Sequence, residues 1–194
     1  MSLTDVQVKE LLEKTKAIRT GHFRLTSGRH SDTYIQCARV CEYPEITNLL
    51  ATEAVDRLPQ DVAAELVVAP AVGGIVFGYA VAQALGTRFV FAEREEGVMT
   101  LRRAFEVGQG TKVLVAEDVV TTGGSVKEVI DVVREHGGEV VGVVSLIDRG
   151  GERKFDEPFY PLLSLEVESW DPRDCGLCAD GIELYSPGSR QLKK

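Results

Sequence analysis

Apolar positions along the chain fall into two patterns, continuous runs of strand length and residues recurring at helical spacing. The runs are Leu66 to Ala69, Arg88 to Ala92, Val113 to Ala116 and Glu139 to Ile147. They are rich in apolar residues without strict alternation, that from Val113 unbroken, as in strands buried on both faces of a parallel sheet. Between them lie helical stripes. Ile46, Leu49, Leu50, Ala54 and Val55 predict a helix over Pro44 to Leu58, with Pro44 in its first turn and Pro59 as its stop. A second helix opens after Gly74 and runs to Leu85, closing at Gly86, and a third carries Val126, Val129, Ile130 and Val133. Ahead of these, Val8, Leu11, Leu12, Thr15 and Ile18 predict a helix from Thr4 to Arg19, with Asp5 favouring its start and Gly21 its end. Four strands joined by helical crossovers imply an α/β fold, a doubly wound and mainly parallel sheet. Its ligands are expected at the carboxyl ends of the strands, near a reversal of strand order.

Three stretches depart from this alternation. Gly21 to Tyr34 is a dense polar loop flanked by short alternating strands, read as a hairpin. Glu93 to Arg103 is charged and contains Gly97, the composition of an exposed, mobile hairpin able to fold over a ligand. The C-terminal tail has no clear period beyond Leu162 to Val167.

With 194 residues, 44% of them hydrophobic, the chain can bury one good core. A single domain over 1–194 is expected, with a hood from about 1–40 plus the tail and a core over about 41–160. No leader pattern opens the chain, and no apolar run approaches the roughly twenty residues of a membrane span, so a soluble, cytoplasmic protein is expected. Twenty-two basic residues against 30 acidic ones give a net charge of −8, which opposes general nucleic-acid binding. An anionic substrate would then need local help from Mg²⁺ and clustered arginines. Four cysteines, Cys37, Cys41, Cys175 and Cys178, are too few for a disulfide framework. Their C-x3-C and C-x2-C spacings would make a structural zinc site if the fold joins the pairs. His22, His30 and His136 suggest no ligand cluster, and repeats, low-complexity segments and Walker or metalloprotease motifs are absent.

The chemistry concentrates where the run from Val113 ends in Glu117 and Asp118, followed by Val119, Val120 and the turn Thr121-Thr122-Gly123-Gly124-Ser125. A buried strand ending in two carboxylates delivers charge to its carboxyl edge. Glycines permit close backbone approach, and the N–H groups opening the next helix suit a phosphate. This stretch resembles the 5-phosphoribosyl-1-diphosphate (PRPP) signature of the type I phosphoribosyltransferases. The resemblance implies that Glu117 and Asp118 face the ribose hydroxyls, that Thr121 to Ser125 hold the 5-phosphate, and that the turn at Gly73-Gly74 meets the pyrophosphate.

A second motif, F-x-L-x-S-G-x-x-S-x-x-Y from Phe23 to Tyr34, resembles the hood of the orotate phosphoribosyltransferase branch. There the backbone around Tyr34 and Ile35 would lie against the pyrimidine. Arg149, at the end of the Glu139 to Ile147 strand, suits bidentate carboxylate binding, and the resemblance assigns it, with Thr121, to orotate. The same resemblance implies a homodimer, Mg²⁺ held through PRPP and by Asp118, and a catalytic loop in which Arg94 and Arg102 would serve. This chain departs from many members at Thr26, at Val72-Gly73 and in that loop, where lysines are common. A purine phosphoribosyltransferase would keep the PRPP loop without needing Arg149 or the hood. A non-catalytic PRPP sensor should carry a nucleic-acid-binding appendage or basic face, and neither length nor charge leaves an obvious one.

Overall fold

The computed structural model describes residues 2–187, so both ends of the 1–194 span lie outside the described residues. Helix α1 (Asp5–Lys14) opens with a capping box, the Thr4 hydroxyl accepting from the Gln7 N–H and the Gln7 side chain from the Thr4 N–H. It is shorter than its stripe implied. Lys16 turns left-handed at φ 60°, and the Ala17 N–H donates back to Leu12 O at 2.8 Å, closing the helix. Ile18 therefore opens a strand, β1 (Ile18–Arg24), which pairs antiparallel with β2 (His30–Ile35) in a separate two-stranded sheet, the hood.

A 3₁₀ turn (Cys37–Glu42) leads into α2 (Pro44–Asp56), β3 (Leu66–Pro70), α3 (Gly74–Leu85) and β4 (Arg88–Glu95). These are followed by β5 (Val98–Leu101), β6 (Lys112–Val120), α4 (Gly124–Glu135), β7 (Glu139–Asp148) and β8 (Phe159–Ser164), and the tail holds a single-turn helix, α5 (Gly176–Ala179). The main sheet has the order β5-β4-β3-β6-β7-β8, parallel throughout except for the β4–β5 pair. The sequence showed four of these six strands. The edge strand β5 is too short and too charged around its ends to carry a period, and β8 overlaps only the start of the one patterned stretch of the tail, Leu162 to Val167. The charged stretch is a hairpin whose turn, Glu96-Gly97, has φ of 52° and 90°. Positive φ at both positions matches the strands' twist.

Strand side chains alternate between two apolar layers. Val67, Leu114 and Val144 point toward α1, α2 and α3, while Leu66, Val68, Val113, Val115 and Val143 point toward α4. Helix α3 lies close to the sheet because Gly78 faces it; a Cβ there would meet Ala69 Cβ at 2.8 Å and Phe89 Cε2 at 2.9 Å. From β3 the chain moves outward to β4 and β5, then returns to β6 on the other side of β3. The carboxyl ends of β3 and β6 therefore flank the crevice where strand order reverses.

Candidate functional site

Strand β6 runs buried from Val113 to Ala116 and reaches the crevice at Glu117 and Asp118. Glu117 is only 8% exposed, and Asp118 is half-buried. The Asp118 N–H donates to Glu117 Oε1 at 3.0 Å, and the Val119 N–H donates to Asp118 Oδ1 at 2.9 Å. Burial, and after it the charge of Asp118, push the Glu117 carboxyl well above the usual carboxylate range. Val120 turns its side chain into the core and offers only its backbone to this edge.

The β3–α3 turn lies directly against this acid pair. Gly73 has φ −58°, open to any residue, so what the position requires is space. A Cβ on Gly73 would stand 3.0 Å from both Asp118 carboxylate oxygens, and one on Gly74 would stand 3.1 Å from Glu117 Oε1. On the other side of the pair is the Thr121 to Ser125 loop, which opens α4. Gly123 sits at φ 68°, and a Cβ there would come within 2.4 Å of Phe155 Cε1, so both backbone and packing call for glycine. The Lys154 N–H donates to Thr122 O at 3.0 Å, bracing the loop from outside. Nothing in the sequence marked Lys154 and Phe155 for this task.

A cavity of about 320 Å³ lies over the loop, bounded by Arg94, Glu117, Val119, Glu128 and the chain from Thr121 to Val126. A larger one, about 780 Å³, lies between α1, the hood and the tail, beside Arg19, Tyr34 and Arg39. It contains neither acid nor the loop. Chemistry, not volume, therefore selects the smaller cavity, where Glu117 meets the helix-opening N–H groups; Asp118 is not in its wall and turns its carboxylate to Gly73. Arg94 makes an ion pair of 2.7 Å with Glu128, out of line for a hydrogen bond, and donates to Gly97 O at 3.1 Å. Arg102 is not in this cavity; it pairs with Glu95 at 3.1 Å on the exposed side of the hairpin.

Arg149 follows the last residue of β7, and its N–H donates to Val120 O at 2.8 Å, which fixes it beside the end of β6. Its side chain is partly buried, and its Nε is buried without a hydrogen-bond partner. Burial lowers the guanidinium pKa, opposed by the charges of Cys37 and Tyr34. Asp148 instead accepts from the Gly150 N–H at 3.0 Å, and among the described residues Arg149 has no ion pair with Asp148 or Glu152. Tyr34 and Ile35 end β2 half-buried, the Tyr34 hydroxyl donating to Gln36 Oε1 at 2.9 Å. Thr26 lies exposed in the turn at the hood's tip.

Two readings of the sequence need correction. Cys37 and Cys41 do not join Cys175 and Cys178, because the 3₁₀ turn that carries them packs against β6. Burial pushes the Cys37 thiol well up, with the charges of Asp118, Cys41 and Glu117 adding to the effect. His22 and His30, read as unclustered, instead place one ring nitrogen each within 4.8 Å of the Cys175 and Cys178 sulfurs. The strands that bring them together are local, but the tail that meets them is more than a hundred residues away in sequence, beyond the reach of any spacing rule.

Residues 45–175 match the phosphoribosyl transferase domain family. Orotate phosphoribosyltransferase of Thermotoga maritima is 54% identical over 188 residues, covering 96% of this chain and 100% of the relative. That of Caldanaerobacter subterraneus subsp. tengcongensis is 48% identical over 187 residues, 96% of this chain and 98% of the relative. Among solved structures, orotate phosphoribosyltransferase from Aeropyrum pernix aligns with a TM-score of 0.70 at 24% identity, over 81% of this chain and 93% of that one. Adenine phosphoribosyltransferase from Leishmania tarentolae aligns at 0.62 with 21% identity, over 84% and 89%, so the fold is shared by proteins named for different bases. With the acid pair, the loop and both glycine turns on one sheet edge, the chain belongs to the phosphoribosyltransferase family and, within it, to the orotate phosphoribosyltransferases.

Proposed function

We propose that the chain transfers the 5-phosphoribosyl group of PRPP to N1 of orotate, giving orotidine 5′-monophosphate and pyrophosphate in pyrimidine synthesis. The bond from C1 of the ribose to a pyrophosphate oxygen breaks, its electron pair leaving with the pyrophosphate, and the new bond forms to orotate N1, which enters without its proton. The 5-phosphate would sit on the loop from Thr121 to Ser125, where α4 opens. Glu117 and Asp118 would accept from the ribose hydroxyls and face the positive charge that develops at C1. Arg94, on the cavity wall with Glu117, would face the phosphates. No covalent nucleophile is required, since positioning and charge suffice for this displacement.

The donor set suits Mg²⁺, a hard cation that prefers oxygens and keeps several waters. Asp118, with both carboxylate oxygens turned to the Gly73 turn, would hold it together with PRPP oxygens. When bound it would neutralise the departing pyrophosphate. The single observation that carries the choice of orotate is the Arg149 side chain, whose buried Nε has no partner and whose guanidinium is close enough to the hood strand to feel the charge of Tyr34. A carboxylate on the base would supply that partner, and purines have none. Loss of orotate absorbance on adding PRPP and Mg²⁺ tests the reading; turnover of adenine, hypoxanthine or xanthine in place of orotate would overturn it. A homodimer in the cytoplasm completes the proposal, with the exposed Arg102 serving the neighbouring subunit's site.

A further inference from the structure

We propose that His22, His30, Cys175 and Cys178 form a structural zinc site that fastens the C-terminal tail to the hood. His22 Nε2 lies 3.0 Å from His30 Nδ1, 3.4 Å from Cys175 Sγ and 3.7 Å from Cys178 Sγ, and Cys178 Sγ lies 3.3 Å from His30 Nδ1. Zinc with the usual Zn–N and Zn–S bond lengths in a tetrahedron sets its ligands about 3.3 Å apart for two nitrogens and about 3.6 Å for nitrogen and sulfur. Those four separations differ from the tetrahedral values by a few tenths of an ångström, and all four atoms lie within 4.8 Å of one another, so an ion at their centre needs side-chain shifts of no more than about an ångström. Two imidazoles and two thiols are also the donor set that zinc prefers over the hard cations of a phosphate site.

The surroundings prepare the ligands. His22 Nδ1 donates to Ile182 O at 2.8 Å, which fixes the tautomer that leaves Nε2 free to ligate. Three of the four residues are buried, Cys178 alone being exposed. The tail already meets the hood through paired backbone bonds: His30 and Trp170 exchange N–H···O bonds at 2.9 and 2.8 Å, and Tyr185 donates to His22 O at 2.8 Å. Cys175 and His22 are 153 positions apart, so a metal clip here closes most of the chain into a loop and holds β2, with Tyr34 and Ile35, against the tail.

The test uses the full chain, reduced, loaded with Zn²⁺ and then desalted. One zinc per chain is expected, and Co²⁺ in its place should give tetrahedral cobalt absorption with thiolate charge transfer. Cys178→Ser, altered at the exposed position and checked for folding by circular dichroism, should lower zinc affinity by more than about ten-fold. Cys37→Ser with Cys41→Ser should retain zinc in full. Stripping the wild-type protein with a chelator should lower its melting temperature, and Zn²⁺ should restore it. Wild-type chains that hold no zinc after loading, cobalt spectra without thiolate bands, or zinc lost equally from the Cys37 and Cys41 control would each overturn the site.

Discussion

Replacing Arg149 with alanine separates a base-selecting guanidinium from a structural one. In the free protein its Nε has no partner, and no carboxylate pairs with it among the described residues, so the substitution removes no native ion pair. Only the packing of its partly buried stem is lost, so stability should fall by no more than about 1 kcal/mol. Orotate binding should behave differently. A hydrogen bond to a charged group contributes roughly 1.5 to 3 kcal/mol, and each 1.4 kcal/mol is about ten-fold, so the KM for orotate should rise about ten- to a hundred-fold. PRPP affinity should hardly move, because the phosphate loop belongs to a different strand. Initial rates with varied orotate at saturating PRPP, beside a thermal melt and a PRPP titration without orotate, give all three numbers. An orotate KM at the wild-type level would show that Arg149 does not read the base; a large fall in melting temperature would show that it supports the fold.

Asp118→Asn should keep the fold and lower turnover by about a hundred-fold or more, as for loss of a group that meets developing charge, and a wild-type kcat would refute that role. Glu117→Gln tests the buried acid by pH. The folded state raises the Glu117 pKa, so wild-type stability is fully present below the ordinary carboxylate range and falls as pH rises through the raised value. The glutamine variant should lack this loss, melting higher than wild type at alkaline pH while losing activity; parallel melting curves across pH would refute it. Mixing inactive Arg102→Ala subunits with inactive Asp118→Asn subunits should restore part of the activity if Arg102 acts on the neighbouring site, and no recovery after confirmed exchange would place its action within one chain. Gly78→Ala adds helix propensity of about 1 kcal/mol but forces a methyl to 2.8 Å from Ala69 Cβ, for which overpacking costs about 1 to 3 kcal/mol, so denaturant melts should show a net loss of stability, and a gain would refute the close packing.

Most of the parallel core was legible because β3, β4, β6, β7 and the crossover helices each write their own local pattern. Unbroken apolar runs mark strands buried on two faces, and stripes at three- and four-residue spacing mark helices. The acid pair and its loop were legible for the same reason, since strand end, carboxylates and helix opening are contiguous from Val113 to Ser125. Where a local signal was weak, tertiary context decided. Ile18 fits the helical stripe of Val8 and Leu12, yet the left-handed Lys16 ends the helix and hydrogen bonding to β2 claims Ile18 as strand. Contacts between distant segments left no trace in spacing. The place of Arg94 in the loop cavity and of Arg102 outside it, the packing of Phe155 on Gly123, and the meeting of His22 and His30 with Cys175 and Cys178 all depend on how separate elements dock. A one-dimensional pattern records which face of an element is buried, whereas the partner brought to that face is set only when the sheet order and the tail's return across the hood are in place.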